Sequence, residues 1–332
     1  MNEKFKILLS RISSFIDLES LIKTSKQNLI FPFYHAVSND DLPHIKHLYP
    51  IVSSRQFEND IDFFLKNYKA ISTIDVIKEN CNIKEKSFVL TFDDGLREFY
   101  KTAAPILLRK GIPATCFVNT AFVDNKDMLY RMKASLLIEN INKKPFSKSQ
   151  FCAVQQIFSE YNKPKDLLKI SYNNRYLLDK IAEIVDVDFQ EFLKKQQPYL
   201  TSEQIKELIN KGFYIGSHSV SHPHYDELDE DTQIQETLNS IYFLKEKFNI
   251  KENLFAFPFS DFDVKKSFFD KISQEIDLSF GTASLKTDTV KTNFQRIAME
   301  VSGYKNAETY IKSEYILFLI KKLLKKHIIY RK

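Results

Sequence analysis

The sequence has few cysteines, and they form no recognisable pair. Its three cysteines, Cys81, Cys116 and Cys152, are odd in number, far apart and outside any CxxC spacing. A disulfide framework or a zinc ribbon needs cysteines paired at short, regular spacings. The sequence indicates neither class, and a reducing compartment fits its cysteine usage best.

Long apolar runs are also missing. A membrane-spanning helix needs about 20 predominantly apolar residues, and the chain contains no such stretch. A secretory signal is not indicated either, because Ser10 and Arg11 interrupt the short run 7–9. Apolar residues of the segment 1–27 recur instead at helical spacing, which predicts an amphipathic N-terminal helix. We therefore expect a cytoplasmic protein.

Neither sign of charge dominates. The 332 residues include 48 Lys and Arg against 43 Asp and Glu, a net charge of +5. This mild excess does not by itself indicate a nucleic-acid partner, and we expect none. With 43% hydrophobic residues, the chain has enough apolar side chains for one large or two small globular domains.

Short apolar runs that end in polar or glycine residues recur along the chain and predict seven strands. The runs are 29–34, 87–92, 114–118, 213–216, 254–257, 278–280 and 296–301. Helical patterns lie between several of them, and those over 100–109 and 201–211 both stop before a glycine. This alternation predicts an α/β fold with a parallel sheet or barrel.

The segment 124–199 interrupts this alternation. It contains no glycine and shows helical spacing of its apolar residues, which predicts a helical insertion. Two roles remain open for it: packing against the edge of the barrel, or forming a lid over a substrate cleft. The predicted organisation is an N-terminal helix over 1–27, a barrel over 28–303 and a C-terminal helix over 304–332.

The first candidate site follows the second apolar run, at Asp93, Asp94 and Gly95. Neighbouring side chains of a regular strand point to opposite faces, so two adjacent carboxylates converge only where the strand ends and bends. Gly95 permits that bend. The alternative is an ordinary Asp-Gly turn with no chemical role.

A second candidate site follows the fourth run, at His218 and His222. Two imidazoles four residues apart reach one ion if the backbone turns after the first, and neutral histidine is a preferred ligand of zinc, cobalt, nickel and iron. A histidine pair that only caps or packs is the alternative interpretation.

Both candidate sites lie just past strand ends, where the loops of an α/β barrel converge on an active site. One carboxylate and two imidazoles leave further positions of a divalent ion open, which is typical of a catalytic centre. The second carboxylate can then take a proton from metal-bound water, whose pKa falls from about 15.7 toward about 7. Spacing alone does not separate the roles of Asp93 and Asp94.

Four segments, FVLTFDDG, GIPATCFVN, LTSEQIKELINKGFYIGSHSVSHP and FAFPFS, resemble the polysaccharide deacetylase family, the NodB-homology class of family 4 carbohydrate esterases. The resemblance implies a distorted (β/α)7 barrel, in agreement with the seven predicted strands. It also implies Asp93 as general base, and Asp94, His218 and His222 as ligands of a divalent metal. Zinc is the first expectation for that metal, with cobalt, nickel or iron as alternatives.

Two family features are missing. An arginine usually precedes the proline of the third motif, where this chain has Ala256 and Phe257, and no Leu-x-His follows near the end of the barrel. His35, after the first strand, is our candidate for the general acid. Arg296, which opens the seventh predicted strand, is our candidate to orient Asp93. A purely structural histidine and a rim salt bridge are the respective alternatives.

The C-terminal segment 304–332 has apolar residues on one helical face and four lysines on another, Lys321, Lys322, Lys325 and Lys326. Such a helix either lies on an anionic membrane surface or docks on the barrel with its lysines in solvent. Peripheral contact with the inner face of the membrane is therefore a further expectation.

The function expected from these features is the removal of N-acetyl groups from an acetylated amino sugar, in a bacterial envelope polysaccharide or a lipid-linked glycan. Hydrolysis of another carbon–nitrogen bond, such as a ring amide, requires the same ligands. A glycan-binding module without activity is the third interpretation, although the intact set Asp93, Asp94, His218 and His222 argues against it.

Overall fold

The computed structural model describes residues 9–332, and its centre is a parallel β-sheet that closes on itself. Within the sheet the strands follow the order β11, β9, β8, β7, β6, β5, β2, β12. The strands are β1 Leu29–Ile30, β2 Pro32–Tyr34, β3 Lys69–Ala70, β4 Ser87–Phe88, β5 Leu90–Phe92, β6 Ala114–Val118, β7 Tyr214–Ser217, β8 Leu254–Ala256, β9 Leu278–Gly281, β10 Thr287–Asp288, β11 Asn293–Gln295, β12 Ile297–Ala298 and β13 Ile328–Ile329.

The barrel closes through the stretch 293–298. β11 pairs with β9 and β12 pairs with β2, so this stretch contacts both open edges of the sheet. The change of partner falls at Arg296, whose N–H donates to Gly281 O at 3.1 Å, while the N–H of Ile297 donates to Phe31 O at 2.8 Å. Because β11 and β12 form one interrupted strand, the barrel consists of seven parallel strands, which we call its staves. The predicted distorted (β/α)7 barrel is confirmed. Arg296 lies inside the seventh stave, however, rather than at its start.

The staves are apolar because both their faces are covered. All residues of β5, β6, β8 and β9 are buried, as expected for parallel strands with helices outside and side chains filling the barrel. Phe31, Phe117 and Phe280 belong to one apolar cluster with several residues of these strands. This packing fixes the strand ends, from which the polar residues of the site project.

The α-helices surround the barrel and extend over it. They are α1 Leu18–Ser25, α2 Ser54–Asn67, α3 Thr73–Lys78, α4 Ala104–Lys110, α5 Tyr130–Lys143, α6 Lys148–Ile157, α7 Tyr176–Ile184, α8 Phe189–Gln196, α9 Ser202–Asn210, α10 Glu230–Phe248, α11 Lys266–Ile272 and α12 Ala307–Leu323. A π-helical turn, Phe99–Ala103, leads into α4. The capping box expected at the start of α9 is present, with Thr201 accepting from Gln204 N–H.

The segment 124–199 forms α5 to α8, and its helices share an apolar core of their own. That core includes Leu137, Leu178 and Leu193 from the helices, and Ala36 and Leu42 from the loop after β2. The insertion is therefore anchored over the end of the barrel where β2 and β5 terminate.

Neither terminal segment is one continuous helix. Residues 9–13 are helical, 14–16 turn, and α1 begins after Asp17, whose carboxylate accepts from Ser20 N–H at 3.0 Å. The rest of the N-terminal helix expected over 1–27 lies outside the described residues.

The helix expected over 304–332 ends at Leu323. After it, Lys325 adopts a left-handed φ of 56° and β13 pairs with β10, because the final residues are held there by Arg331 between Asp261 and Asp288. Within residues 9–332, no helix combines the length and apolar character that a membrane crossing needs.

Candidate active site

The two adjacent aspartates occupy a strained turn at the end of β5. The N–H of Asp93 still donates to Tyr34 O at 2.9 Å, but Asp94 and Gly95 have φ of 68° and 62°. A Cβ on residue 95 would lie 2.9 Å from Cγ1 of Val118, so glycine is required for space as well as for conformation. The turn buries both carboxylates at the same end of the barrel.

The histidine loop after β7 is equally constrained. Ser219 and His222 have φ of 69° and 60°, and Ser219 Oγ accepts from His222 N–H at 3.0 Å. Glu236 of α10 accepts from the N–H groups of Val220 and Ser221, both at 3.0 Å. Non-glycine residues with positive φ at a buried polar cluster are typical of functional sites, where the surrounding structure maintains the strain.

These two loops bring Asp94, His218 and His222 together. One ligand-type atom from each lies within 4.8 Å of the others, with Asp94 Oδ1 at 3.6 Å from His218 Nε2 and 3.2 Å from His222 Nε2. His218 Nδ1 lies 2.8 Å from Ala256 O, which sets Nδ1 as the protonated nitrogen and leaves the Nε2 lone pair facing Asp94. Burial lowers the pKa of His218 to about 4, so its imidazole is neutral.

The cluster fits a divalent cation. Asp94 Oδ1 is buried without a hydrogen-bond partner among the described residues, which is unfavourable unless a positive group satisfies it. Burial raises the pKa of Asp94, but the neighbouring histidines, His222 first, more than offset this and hold it below its usual value. A carboxylate with two imidazoles matches the donor set preferred by zinc, cobalt, nickel and iron.

Asp93 faces this cluster while it is paired with Arg296. Arg296 donates through Nη1 to Asp93 Oδ1 at 2.6 Å and through Nη2 to Oδ2 at 2.7 Å, a bidentate pair. Asp93 Oδ2 lies 4.0 Å from His218 Nε2. Burial acts to raise the pKa of Asp93, but Arg296, His218 and His35 together outweigh it, so the pKa lies below its usual value and the carboxylate is ionised.

Arg296 is not at the rim of the barrel. It is 0% exposed, with its guanidinium 4.4 Å from the ring centre of Phe33 and 5.5 Å from that of Phe117. Nη1 also donates to Thr91 Oγ1 at 3.1 Å. The rim salt bridge considered as its alternative is therefore wrong, and the side chain holds Asp93 from inside the barrel.

His35 lies at the same end of the barrel, beside two residues that the sequence analysis did not identify. Its Nδ1 contacts Glu300, which also accepts from the N–H groups of His35 and Ala36 at 2.8 and 2.9 Å. Its ring stacks on Tyr49, whose hydroxyl donates to Asp94 Oδ2 at 3.3 Å. Burial lowers the pKa of His35, but the charge and hydrogen bond of Glu300, with the charges of Asp94 and Asp93, more than offset this and raise it to about 9. Glu300 was detectable in principle, because it follows β12, and β12 pairs with β2, the strand that His35 follows.

Six of these residues line one cleft of about 550 Å³: His35, Tyr49, Asp93, Asp94, His218 and His222. The helical insertion contributes part of its wall, so that segment both packs on the barrel and shapes the cleft. The lining residues that the sequence analysis did not identify include His47, Tyr49, Leu129, Arg131, Leu168, His224 and Phe259. His224 was detectable as a third histidine beside the HSVSH motif, whereas Arg131 and Leu168 carry no local signal.

Comparison with known proteins agrees with this architecture. A polysaccharide deacetylase family model matches residues 81–141 and 171–274, about half of the chain, and leaves out part of the insertion. A search of curated proteins gave no match.

Three of the similar solved structures are deacetylase PplD from Streptococcus pyogenes in complex with acetate, IcaB from Ammonifex degensii, and a de-N-acetylase from Aggregatibacter actinomycetemcomitans. Their identities to this chain are 16%, 15% and 14%, and their TM-scores are 0.56, 0.53 and 0.53. Each alignment covers 86% of this chain, and 97%, 97% and 99% of the respective structures. At these identities the structural likeness shows the fold, and the family model shows the family. The chain belongs to the polysaccharide deacetylase family, hydrolases of carbon–nitrogen bonds other than peptide bonds.

Proposed function

We propose that this protein is a metal-dependent N-deacetylase that removes acetyl groups from an acetylated amino sugar, in a polysaccharide or a lipid-linked glycan. One observation carries the proposal: the Asp93 carboxylate, fixed by Arg296, lies beside the cluster of Asp94, His218 and His222 in a single cleft. This arrangement provides an ionised base next to a site suited to a cation.

Asp93 is the proposed general base. Hydrolysis of the amide requires a proton to leave the attacking water as its oxygen bonds to the acetyl carbon, and an ionised carboxylate at fixed orientation can accept it. The bidentate contact with Arg296 holds both carboxylate oxygens in place and keeps the group charged although it is buried. Arg296 thus supplies the positioning that the family usually obtains from its third motif.

His35 is the proposed general acid. Cleavage of the carbon–nitrogen bond releases an amine, which leaves readily only if its nitrogen is protonated. Glu300 contacts Nδ1 of His35 and favours the protonated ring, so Nε2 is the nitrogen left to donate a proton toward the cleft. Acetate and a free amino sugar are then the two products.

Asp94, His218 and His222 would hold the metal, with zinc first and cobalt, nickel or iron as alternatives. When bound, a divalent ion supplies Lewis-acid polarisation of the acetyl carbonyl and lowers the pKa of water. Hydrolysis of another non-peptide amide uses the same groups and is the alternative function.

Acetate release tests the proposal. The purified full chain, supplied with zinc, cobalt or nickel, is incubated with free, oligomeric and lipid-linked N-acetylglucosamine, and acetate is quantified. We expect release from at least one acetylated sugar and none after chelation. Activity on cyclic amides without acetate release from any sugar would contradict the proposal in favour of the alternative.

We further propose that the end of α12 contacts an anionic membrane surface. Leu323 and Leu324 are 85% and 62% exposed and are followed by the exposed Lys325 and Lys326. Adjacent exposed leucines and lysines match the apolar and cationic requirements of an interfacial segment. Such contact would place the enzyme where lipid-linked glycans are presented.

A further inference from the structure

One wall of the cleft is both aromatic and cationic. The rings of His224 and Phe259 stack with centres 3.6 Å apart and planes within 4° of parallel. The Arg131 guanidinium lies 5.9 Å from the Phe259 ring centre, and Nη2 lies 3.5 Å from His224 Nε2. Phe259 also packs edge-on against His222, with ring centres 4.5 Å apart. The Arg131 guanidinium therefore lies within the length of one or two sugar rings of the proposed metal centre.

Arg131 differs from the other cations nearby because no carboxylate within residues 9–332 forms an ion pair with it. Lys133, two residues along the same helix, bridges Asp127 and Asp179 at 3.3 and 3.0 Å. Lys46, in the loop after β2, lies 2.9 Å from Glu139 of α5. Among the residues that the structure describes, Arg131 instead contacts the imidazole of His224 and the rings of Tyr130 and Phe259. A guanidinium that lines a substrate cleft without an internal anion is suited to bind an anion of the substrate.

The backbone fixes this wall in position. Phe259 has a φ of 55°, and its carbonyl accepts from Thr282 Oγ1 at 2.9 Å. Asp261, two residues later, is buried and contacts Arg331. Arg131 itself stands at the start of α5, which the insertion core holds against the barrel. Both sides of the wall are therefore attached to rigid elements, and the cation is held at a defined distance from the reacting groups.

We infer that Arg131 selects acetylated sugars that carry an oxyanion, a phosphate or a carboxylate, one or two rings from the acetamido group. The sugar ring stacks on the wall formed by Phe259 and His224, and the oxyanion accepts hydrogen bonds from the guanidinium, which offers paired donors that match either group. This inference rests on the proposed deacetylase function and specifies its substrate class. A neutral glycan leaves the guanidinium without an anionic partner and is a poorer substrate.

The test compares matched substrates. Full-length protein loaded with metal is assayed for kcat/KM on N-acetylglucosamine 1-phosphate, on a disaccharide of N-acetylglucosamine and a uronic acid, and on neutral methyl N-acetylglucosaminide. The first two probes distinguish a phosphate from a carboxylate as the favoured group. We expect wild type to prefer at least one of them, and Arg131→Gln to lose about 10- to 100-fold on that probe with little change on the neutral one, because a hydrogen bond to a charged group contributes this much. Arg131→Lys should retain part of the preference.

Arg175→Gln is the matched control. Arg175 also belongs to the insertion and stacks on an aromatic ring, that of Tyr172 at 4.0 Å, but it does not line this cleft. The Arg175→Gln variant should leave the preference for the charged probe intact. Equal losses on charged and neutral probes in Arg131→Gln, or equal kcat/KM of an active wild type on all three probes, would overturn the inference.

Direct binding separates this inference from the proposed function. Calorimetry with glucosamine 1-phosphate and with neutral methyl glucosaminide requires no turnover. Tighter binding of the phosphate by wild type than by Arg131→Gln supports the inference, whereas equal binding overturns it, with or without acetate release. Absence of acetate from every probe contradicts only the proposed function.

Discussion

At the scale of single residues, the pairing of Asp93 with Arg296 explains how the chain replaces a missing family feature. The two residues are 203 positions apart, and only closure of the barrel through the seventh stave brings them together. The sequence therefore identifies Arg296 as a candidate but does not establish its contact with Asp93, because no local pattern predicts which strand edges meet. Tyr49 and Arg131 were not found for the same reason.

Replacing Arg296 tests this pairing. Arg296→Lys keeps a charge but cannot form the bidentate contact, so the orientation of Asp93 is lost. We expect kcat to fall by about 10²-fold, the typical cost of a small misplacement of a catalytic group. Metal content should remain normal, because Arg296 contacts none of the three proposed ligands through a hydrogen bond. Unchanged kcat would show that Asp93 does not depend on this contact.

His35 offers a second test at this scale. His35→Gln removes the proposed proton donor, and a general acid typically contributes about 10² to 10⁴ in rate. We expect a loss of that size in kcat, and a smaller loss in Glu300→Gln, which leaves the histidine in place. The measurement is kcat from about pH 5 to above about pH 9, because the pKa of His35 is raised to about 9 and the acid loses its proton there. Nearly full kcat of His35→Gln throughout that range would leave His35 with a structural role only.

At the scale of elements, the predictable features were those with a local pattern. The strand ends after Phe92 and Ser217, the capping box at Thr201 and the helical character of 124–199 follow from apolar periodicity and from turn and cap residues. β13 was predicted as helix because its isoleucines fit a helical face as well as a strand. The ion pairs of Arg331 with Asp261 and Asp288 decide its conformation, and they are distant in sequence.

The contact between β2 and α2 gives a stability test. Asp60 of α2 is 4% exposed and accepts from Tyr34 Oη at 3.1 Å, and burial raises its pKa to about 6. Because the folded pKa is raised, the contribution of Asp60 to stability is present at low pH and is lost as pH rises through about 6. Asp60→Asn stays neutral and keeps an acceptor for Tyr34. We expect it to increase the free energy of unfolding by about 1–3 kcal/mol near pH 7.5 and by much less near pH 4.5, measured by urea denaturation.

Asp62→Asn is the control for this experiment. Asp62 lies on the same helix but is exposed, and its partner Lys110 is on the surface. Exposed ion pairs contribute little, so its effect should be small at both pH values. A destabilised Asp60→Asn near pH 7.5 would contradict the assignment of Asp60 as an unfavourable buried charge.

At the scale of the whole molecule, the structural role of α12 must be separated from the proposed membrane contact. Its first half is part of the fold: Tyr315 and Phe318 are buried, and Tyr315 Oη donates to Gln27 O at 2.8 Å. Its end exposes Leu323, Leu324 and the two lysines that follow. Truncation near residue 313 would remove buried residues and the Arg331 ion pairs together with the exposed end, so point variants are the informative test.

We expect the full chain to sediment with anionic vesicles at low salt and to be released at high salt, because the attraction is electrostatic. Each basic residue near such a surface contributes about 1 kcal/mol, so Lys325→Glu with Lys326→Glu should weaken binding by at least about 10-fold. Leu323→Ser should weaken it at both salt concentrations. If wild type stays in the supernatant at low salt, α12 is only a docked helix.

We propose that Asp94, His218 and His222 bind the metal while Asp93 performs proton transfer. The most direct measurement is metal content and acetate release on the same purified samples of wild type, Asp93→Asn, His218→Ala and His222→Ala. We expect about one divalent ion in wild type and in Asp93→Asn, with turnover of the latter reduced by about 10² to 10⁴. Both histidine variants should lose metal and turnover together. Normal metal content in both histidine variants, or full turnover of Asp93→Asn, would contradict the assignment of the site.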